Sequence, residues 1–165
     1  MHTRKIIGLC LRLSLALTVP LMFWKALTII TGSTHPIIVV ISESMSPAFN
    51  RGDILFLRNR QSWIQVGEIP VIWFKGLPLP LVHRAVRTVV LDTMRQGIMT
   101  KGDNNVVDDT LLYPAGKEFV DREEIIGVVK GSIPWLGWVA ILLQNYPQIM
   151  QLGGGALLLG ITLFT

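Results

Sequence analysis

The chain has 165 residues, half of them hydrophobic and 16% charged, with a mean hydropathy of +0.51. That is too apolar for an ordinary soluble domain and points first to membrane attachment. The net charge of +4 comes from scattered basic residues, part of them at the N-terminus, so no basic stripe marks a nucleic-acid partner; the single cysteine, Cys10, excludes an internal disulfide and a cysteine-based zinc site.

From Leu13 to Thr31 the only charge is Lys25. As a helix these 19 residues reach about 28 Å, close to the roughly 30 Å hydrocarbon core of a bilayer. Lys25 can snorkel to the interface beside Trp24, and Pro20 can bend the helix without ending the span. The rival reading is a cleaved signal peptide, because His2, Arg4, Lys5 and Arg12 precede the apolar run. A retained anchor fits better: the run is longer than a signal core, and Ile29-Ile30-Thr31-Gly32-Ser33 is a poor small-x-small exit. Positive charge lies before the helix and none follows until after Glu43, so the N-terminus is expected in the cytosol and the bulk of the chain across the membrane.

Residues 1–32 therefore form a short N-terminus and a transmembrane anchor. Over residues 33–132, β-type runs at Ile37–Ser42, Ile54–Arg58, Ile69–Phe74, Leu81–Thr88 and Ile125–Lys130 are separated by turn signals such as Asn50-Arg51-Gly52-Asp53. The expected fold class is mainly β. This middle part is long enough to bury one core, and no strand–helix alternation suggests a parallel sheet. Residues 133–165 are hydrophobic again, in Ile133–Leu143 and Leu152–Thr165, with Asn145-Tyr146-Pro147 between. The last 14 residues would make about 21 Å of helix, too short for a full span, so a short hydrophobic helix, membrane-associated or packed on a partner, is expected.

The chemistry-bearing stretch is Ser42-Glu43-Ser44-Met45-Ser46-Pro47, directly after the apolar run Ile37–Ile41. If the strand continues, Ser42 and Ser44 share a face: one hydroxyl to attack, the other to donate a hydrogen bond. Serine needs a base. Of three histidines, only His83 lies in a strand-like run beyond the anchor; Lys75 and Lys101 are the formal alternatives. Orienting acids cluster in Lys101-Gly102-Asp103-Asn104-Asn105-Val106-Val107-Asp108-Asp109. Asp103 reads first as a turn former, and spacing does not choose between Asp108 and Asp109. No metal-ligand cluster or phosphate-cradling glycine loop occurs in the sequence, so no metal or cofactor is expected.

Taken together, Val39-Val40-Ile41-Ser42, Ser44-Met45-Ser46-Pro47-Ala48-Phe49, Arg51-Gly52-Asp53, Val82-His83-Arg84, Lys101-Gly102-Asp103-Asn104-Asn105 and Asp108-Asp109 resemble the signal peptidase I family in its endoplasmic reticulum type, the catalytic subunits of the signal peptidase complex. The resemblance implies a signal-peptidase-like β domain, lumenal and catalytic, on a single-pass anchor in the endoplasmic reticulum membrane. It implies a serine endopeptidase that removes signal peptides, cutting after small residues at positions −1 and −3. By residue matching, Ser44 is the nucleophile, His83 the base and Asp109 the third member. Ser42, with the Ser44 backbone N–H, forms the oxyanion hole, while Asp103 and Asp108 support the loop. Glu43 and Ser46 depart from the commonest Gly and Glu of that box. The implied partners are the signal peptides of preproteins, accessory subunits and the bilayer, with no nucleic acid. The alternative expectations are a self-cleaving repressor-type peptidase with a lysine base and a non-catalytic, peptidase-like membrane subunit.

Overall fold

The computed structural model describes residues 2–92, 95–146 and 148. The chain divides into two units, Thr28–Trp138 and the remainder. Helix α1 runs His2–Thr31, starting well before Leu13 because Ile6, Ile7 and Leu9 carry the apolar character back between the basic residues. Within it, Thr3–Thr31 is long and apolar enough to cross a bilayer, with 29 residues and a mean hydropathy of 2.1. Such a helix measures about 44 Å. Leu15, Leu17, Val19, Leu21, Met22 and Phe23 are all exposed, and a helix apolar on every side is stable only in an apolar surrounding. Its hydroxyls satisfy themselves: Ser14 donates to the Leu11 carbonyl and Thr18 to that of Ser14, both at 2.9 Å.

Among the described residues eight strands follow, β1 Ile37–Val39, β2 Ile54–Arg58, β3 Pro70–Ile72, β4 Leu81–Val82, β5 Arg84–Asp92, β6 Arg95–Lys101, β7 Val120–Asp121 and β8 Ile125–Ile133. They form a five-stranded sheet in the order β1-β2-β8-β3-β4 and a three-stranded sheet β5-β6-β7, with every pairing antiparallel. Period-two patterning works where expected: Leu55 and Leu57 of β2 are buried while Phe56 and Arg58 are exposed. Two apolar clusters result. Ile72, Phe74, Ala85, Ile98, Val120 and Val128 belong to the larger, which draws on both sheets; Val40, Leu55, Leu57 and Val71 form the second.

Three expectations change. The run Leu81–Thr88 is two strands in different sheets, with His83 at the break between them. Strand β6 was not anticipated, because Gln96 and Gly97 spoil its β signal. Gln96 is nevertheless buried, since its amide pairs with the Ile64 backbone, accepting its N–H at 2.9 Å and donating to its carbonyl at 2.6 Å. Gly97 sits in a tight gap: a Cβ there would lie 3.0 Å from both Phe119 and Val89. Third, Ile37–Ser42 stops being strand at Val39.

Arg51-Gly52-Asp53 is a turn, as expected. Gly52 has φ +92°, favourable only for glycine, and buried Asp53 accepts the Asn50 N–H at 2.9 Å and the Trp135 N–H at 3.2 Å. A short helix, α2, occupies Trp138–Asn145, within the first C-terminal apolar run. The second run, 152–165, lies outside the described residues.

Candidate active site

The serine box is a tight turn rather than extended strand. Ser46 N–H donates to the Glu43 carbonyl at 3.1 Å and Phe49 N–H to the Met45 carbonyl at 3.0 Å. Alternation along a strand therefore does not explain the shared orientation of Ser42 and Ser44, yet the turn brings their hydroxyls 3.3 Å apart. Met45, 1% exposed, anchors the turn in the domain and leaves Ser44 half-buried at its surface.

His83 sits where the chain leaves the first sheet for the second, and is itself buried. Its Nε2 lies 2.8 Å from Ser44 Oγ, and its Nδ1 lies 2.6 Å from Asp109 Oδ2. With a carboxylate against Nδ1, the ring hydrogen belongs there, and Nε2 accepts from the serine hydroxyl. Asp109 opens a 3-10 helix, Asp109–Leu112, and is wholly buried. Asp108 points elsewhere. It caps that helix, accepting the Thr110 N–H at 3.1 Å and its hydroxyl at 2.5 Å, and these bonds hold its carboxyl below the usual aspartate range. Of the two adjacent aspartates, the structure brings Asp109 to the imidazole.

Asp103 neither touches His83 nor drifts free in solvent. Arg84, next to the histidine, grips it in a fork at 2.8 and 2.6 Å and also donates to the Gly67 carbonyl at 2.9 Å. The loop beyond reaches the nucleophile: Asn104 N–H donates to the Ser44 carbonyl at 2.8 Å, and its side chain to that of Glu43 at 3.3 Å. Gly102 permits this approach, since a Cβ there would lie 2.7 Å from the Ser44 carbonyl oxygen. The Arg84 hydrogen bonds hold Asp103 below its ordinary pKa. A carboxyl depressed on folding adds stability above its unfolded value, near 4, and loses it as pH falls through the lower folded value. The thermal midpoint of the full chain is thus expected to fall on acidification below about pH 4, and Asp103→Asn is expected to flatten part of that fall in a melting series. An unchanged slope would refute the contribution.

Among the described residues, neither Lys75 nor Lys101 hydrogen-bonds the serine hydroxyl. Lys75 is exposed in a turn, and Lys101 ends β6; among the described residues Ser44 Oγ hydrogen-bonds to His83 and Ser42. His35 bonds the Thr34 hydroxyl at 3.0 Å and stacks at a tilt on Trp73, ring centroids 4.9 Å apart.

A cleft of about 300 Å³ opens beside the serine, lined on one side by Ile38–Ile41 after and within β1 and on the other by Leu81 and Val82 of β4. These are the two outermost strands of the five-stranded sheet, so the sheet curls until its unpaired edges face each other across an apolar slot. Ser44 and His83 close one part of it.

No family model matches the chain. Curated relatives do. Proteins named signal peptidase complex catalytic subunit are 47% identical in Pyrenophora tritici-repentis over 92% of this chain and 88% of theirs. The corresponding protein of Emericella nidulans is 44% identical over 90% and 86%, and that of Paracoccidioides brasiliensis 41% over the same shares. The chain belongs to the signal peptidase complex catalytic subunit family. The resemblance drawn from the ordered motifs is borne out, and with it the mainly β fold carrying an apolar N-terminal helix. In this member of the signal peptidase family, reading the sequence missed four contacts around the site: Met45 as anchor of the nucleophile turn, Asn104 as its tether, and Thr100 with Tyr113 behind Asp109. Thr100 and Tyr113 carry no local signal, because their partners are 9 and 13 residues away.

Proposed function

We propose that this chain is a membrane-anchored serine endopeptidase, the catalytic subunit of a signal peptidase complex, removing signal peptides from nascent secretory and membrane proteins at the endoplasmic reticulum. Membership of the signal peptidase family supports this function. The observation that carries its mechanism is the continuous series Ser44 Oγ–His83 Nε2–Asp109 Oδ2, at 2.8 and 2.6 Å, at the edge of an apolar cleft.

In this reading His83 removes the Ser44 proton as Oγ attacks the scissile carbonyl, and Asp109 stabilises the imidazolium that forms. The imidazolium then protonates the leaving amine, and a water activated by the same ring hydrolyses the acyl-enzyme. The Ser42 hydroxyl and the Ser44 N–H are the oxyanion donors; their support is the 3.3 Å spacing of the two serine hydroxyls. Asp103, through Arg84, and Asp108, through its helix cap, hold the loop that touches Ser44 and carries Asp109. An extended substrate can add to the free edge of β1 or β4, and its alternate side chains then face one wall. Small residues at −1 and −3 suit a site where the backbone must reach a serine at the end of a narrow slot.

Residues 1–32 are assigned to a short cytosolic N-terminus and single-pass anchor, 33–132 to a lumenal catalytic domain, and 133–165 to a hydrophobic segment associated with the bilayer or with accessory subunits. Arg4, Lys5 and Arg12, in the first turns of α1 and ahead of its uninterrupted apolar run, support the orientation. The test is processing of a presecretory protein by the full chain in its membrane complex. N-terminal sequencing of the product should place the cut after a small residue, and replacing that residue by leucine should slow the reaction by about 100-fold, as expected when a bulky group opposes a small pocket. A preprotein left intact by the wild-type complex would reject the proposal.

A further inference from the structure

Behind the proposed catalytic series lies a second set of hydrogen bonds that the reaction itself does not use. Thr100, the penultimate residue of β6 and 0% exposed, donates from Oγ1 to Asp109 Oδ2 at 2.7 Å. This is the oxygen that faces His83 Nδ1. Tyr113, just past the 3-10 helix, accepts the Thr100 N–H at 2.9 Å and lies 3.0 Å from Thr100 Oγ1. The donor directions follow from counting hydrogens. Carboxylate oxygens only accept, so the Thr100 hydroxyl hydrogen is spent on Asp109, and Tyr113 must donate its own to Thr100 Oγ1. Every bond in the series Tyr113→Thr100→Asp109 thus has one possible direction.

From this geometry we infer that Thr100 and Tyr113 are positioning residues for the proposed reaction, holding the Asp109 carboxylate in the orientation that aligns His83 with Ser44. One observation favours this over a purely structural role. Both donors to the carboxylate converge on Oδ2, while Oδ1 is buried with no partner among the described residues, so removing the Thr100 hydroxyl leaves the imidazole as its one side-chain hydrogen-bond partner among those residues. A carboxylate held by one of these hydrogen bonds instead of two is less firmly oriented, and so is the base it positions. Burial also raises the Tyr113 pKa, which keeps the phenol protonated and able to donate at neutral pH.

The inference rests on the catalytic reading above, and its test separates the two. Using the full chain in its membrane complex and a preprotein substrate, Thr100→Val, which keeps shape and loses the hydroxyl, is expected to lower kcat by about 10- to 100-fold, the loss typical of a buried hydrogen bond to a charged group. KM should stay within about twofold, because substrate binding is untouched. Thr100→Ser restores the donor and should recover kcat to within about threefold, and Tyr113→Phe should give a smaller kcat loss than Thr100→Val. If the valine variant does not accumulate, the serine and phenylalanine variants decide between themselves: a higher kcat for Thr100→Ser supports the role, and equal values overturn it. Wild-type kcat in Thr100→Val, or a loss carried by KM, also overturns it, provided Ser44→Ala is inactive. An active Ser44→Ala would instead overturn the catalytic reading on which the inference depends.

Discussion

Replacing His83 by alanine is expected to abolish signal-peptide processing, with kcat falling at least about 10,000-fold, the scale on which serine hydrolases lose activity without their base. The effect is large because, among the described residues, Ser44 Oγ has one nitrogen base within hydrogen-bonding distance, His83 Nε2 at 2.8 Å. The lysines that the sequence also offers should behave differently. Lys75 is exposed in a turn and Lys101 lies at the end of β6, close enough to Asp108 to lower its pKa. Lys75→Ala and Lys101→Ala should each keep activity within about threefold, as is usual for changes outside the reacting groups. Ser44→Ala should match His83→Ala, since two members of one unit are not additive. Substantial turnover by the His83 variant, or its loss in either lysine variant, would point to a lysine mechanism.

The second large effect separates two neighbouring carboxylates. Asp109→Asn keeps volume and hydrogen-bonding capacity but removes the charge that meets the imidazolium, and is expected to reduce kcat by about 100- to 10,000-fold. The amide can still turn its oxygen toward His83 and Thr100, but its NH2 then lies at the buried Oδ1 position, so the loss combines the missing charge with an unpaired donor. Asp108→Ala tests the other position. It removes the helix cap at Thr110 and should lower the melting midpoint, with kcat changed less than about threefold. Rate assays on both variants, with melting curves alongside, check the assignment. A greater catalytic loss from Asp108→Ala than from Asp109→Asn would reverse it.

These expectations turn on details that differ in how far they could be read from the chain. Legible features were local ones. An apolar run with basic residues before it specifies a helix for lipid, and Ile54–Arg58 specifies a half-buried strand by period-two alternation. Asn50-Arg51-Gly52-Asp53 specifies a turn because only glycine is at ease at φ +92°. Residue chemistry also named His83, the single histidine within an apolar run, and offered Ser42 and Ser44 after another, between which the family resemblance chose Ser44.

Tertiary structure decided the rest. Asp108 and Asp109 have the same side chain and adjacent positions, so no pattern separates them. The 3-10 helix does so by turning Asp108 back to its own backbone and Asp109 inward. The strand run around His83 looked continuous because composition does not reveal which sheet a residue joins; the break follows from pairing of β4 with β3 and β5 with β6. Thr100 and Tyr113 were invisible for the same reason, being ordinary strand and loop residues until packing placed them behind the carboxylate. Side-chain periodicity and turn chemistry act over a few residues and so are written into the sequence. The 39- and 26-residue separations that join Ser44 to His83 and His83 to Asp109 are closed by a curled sheet, whose geometry is a property of the whole domain.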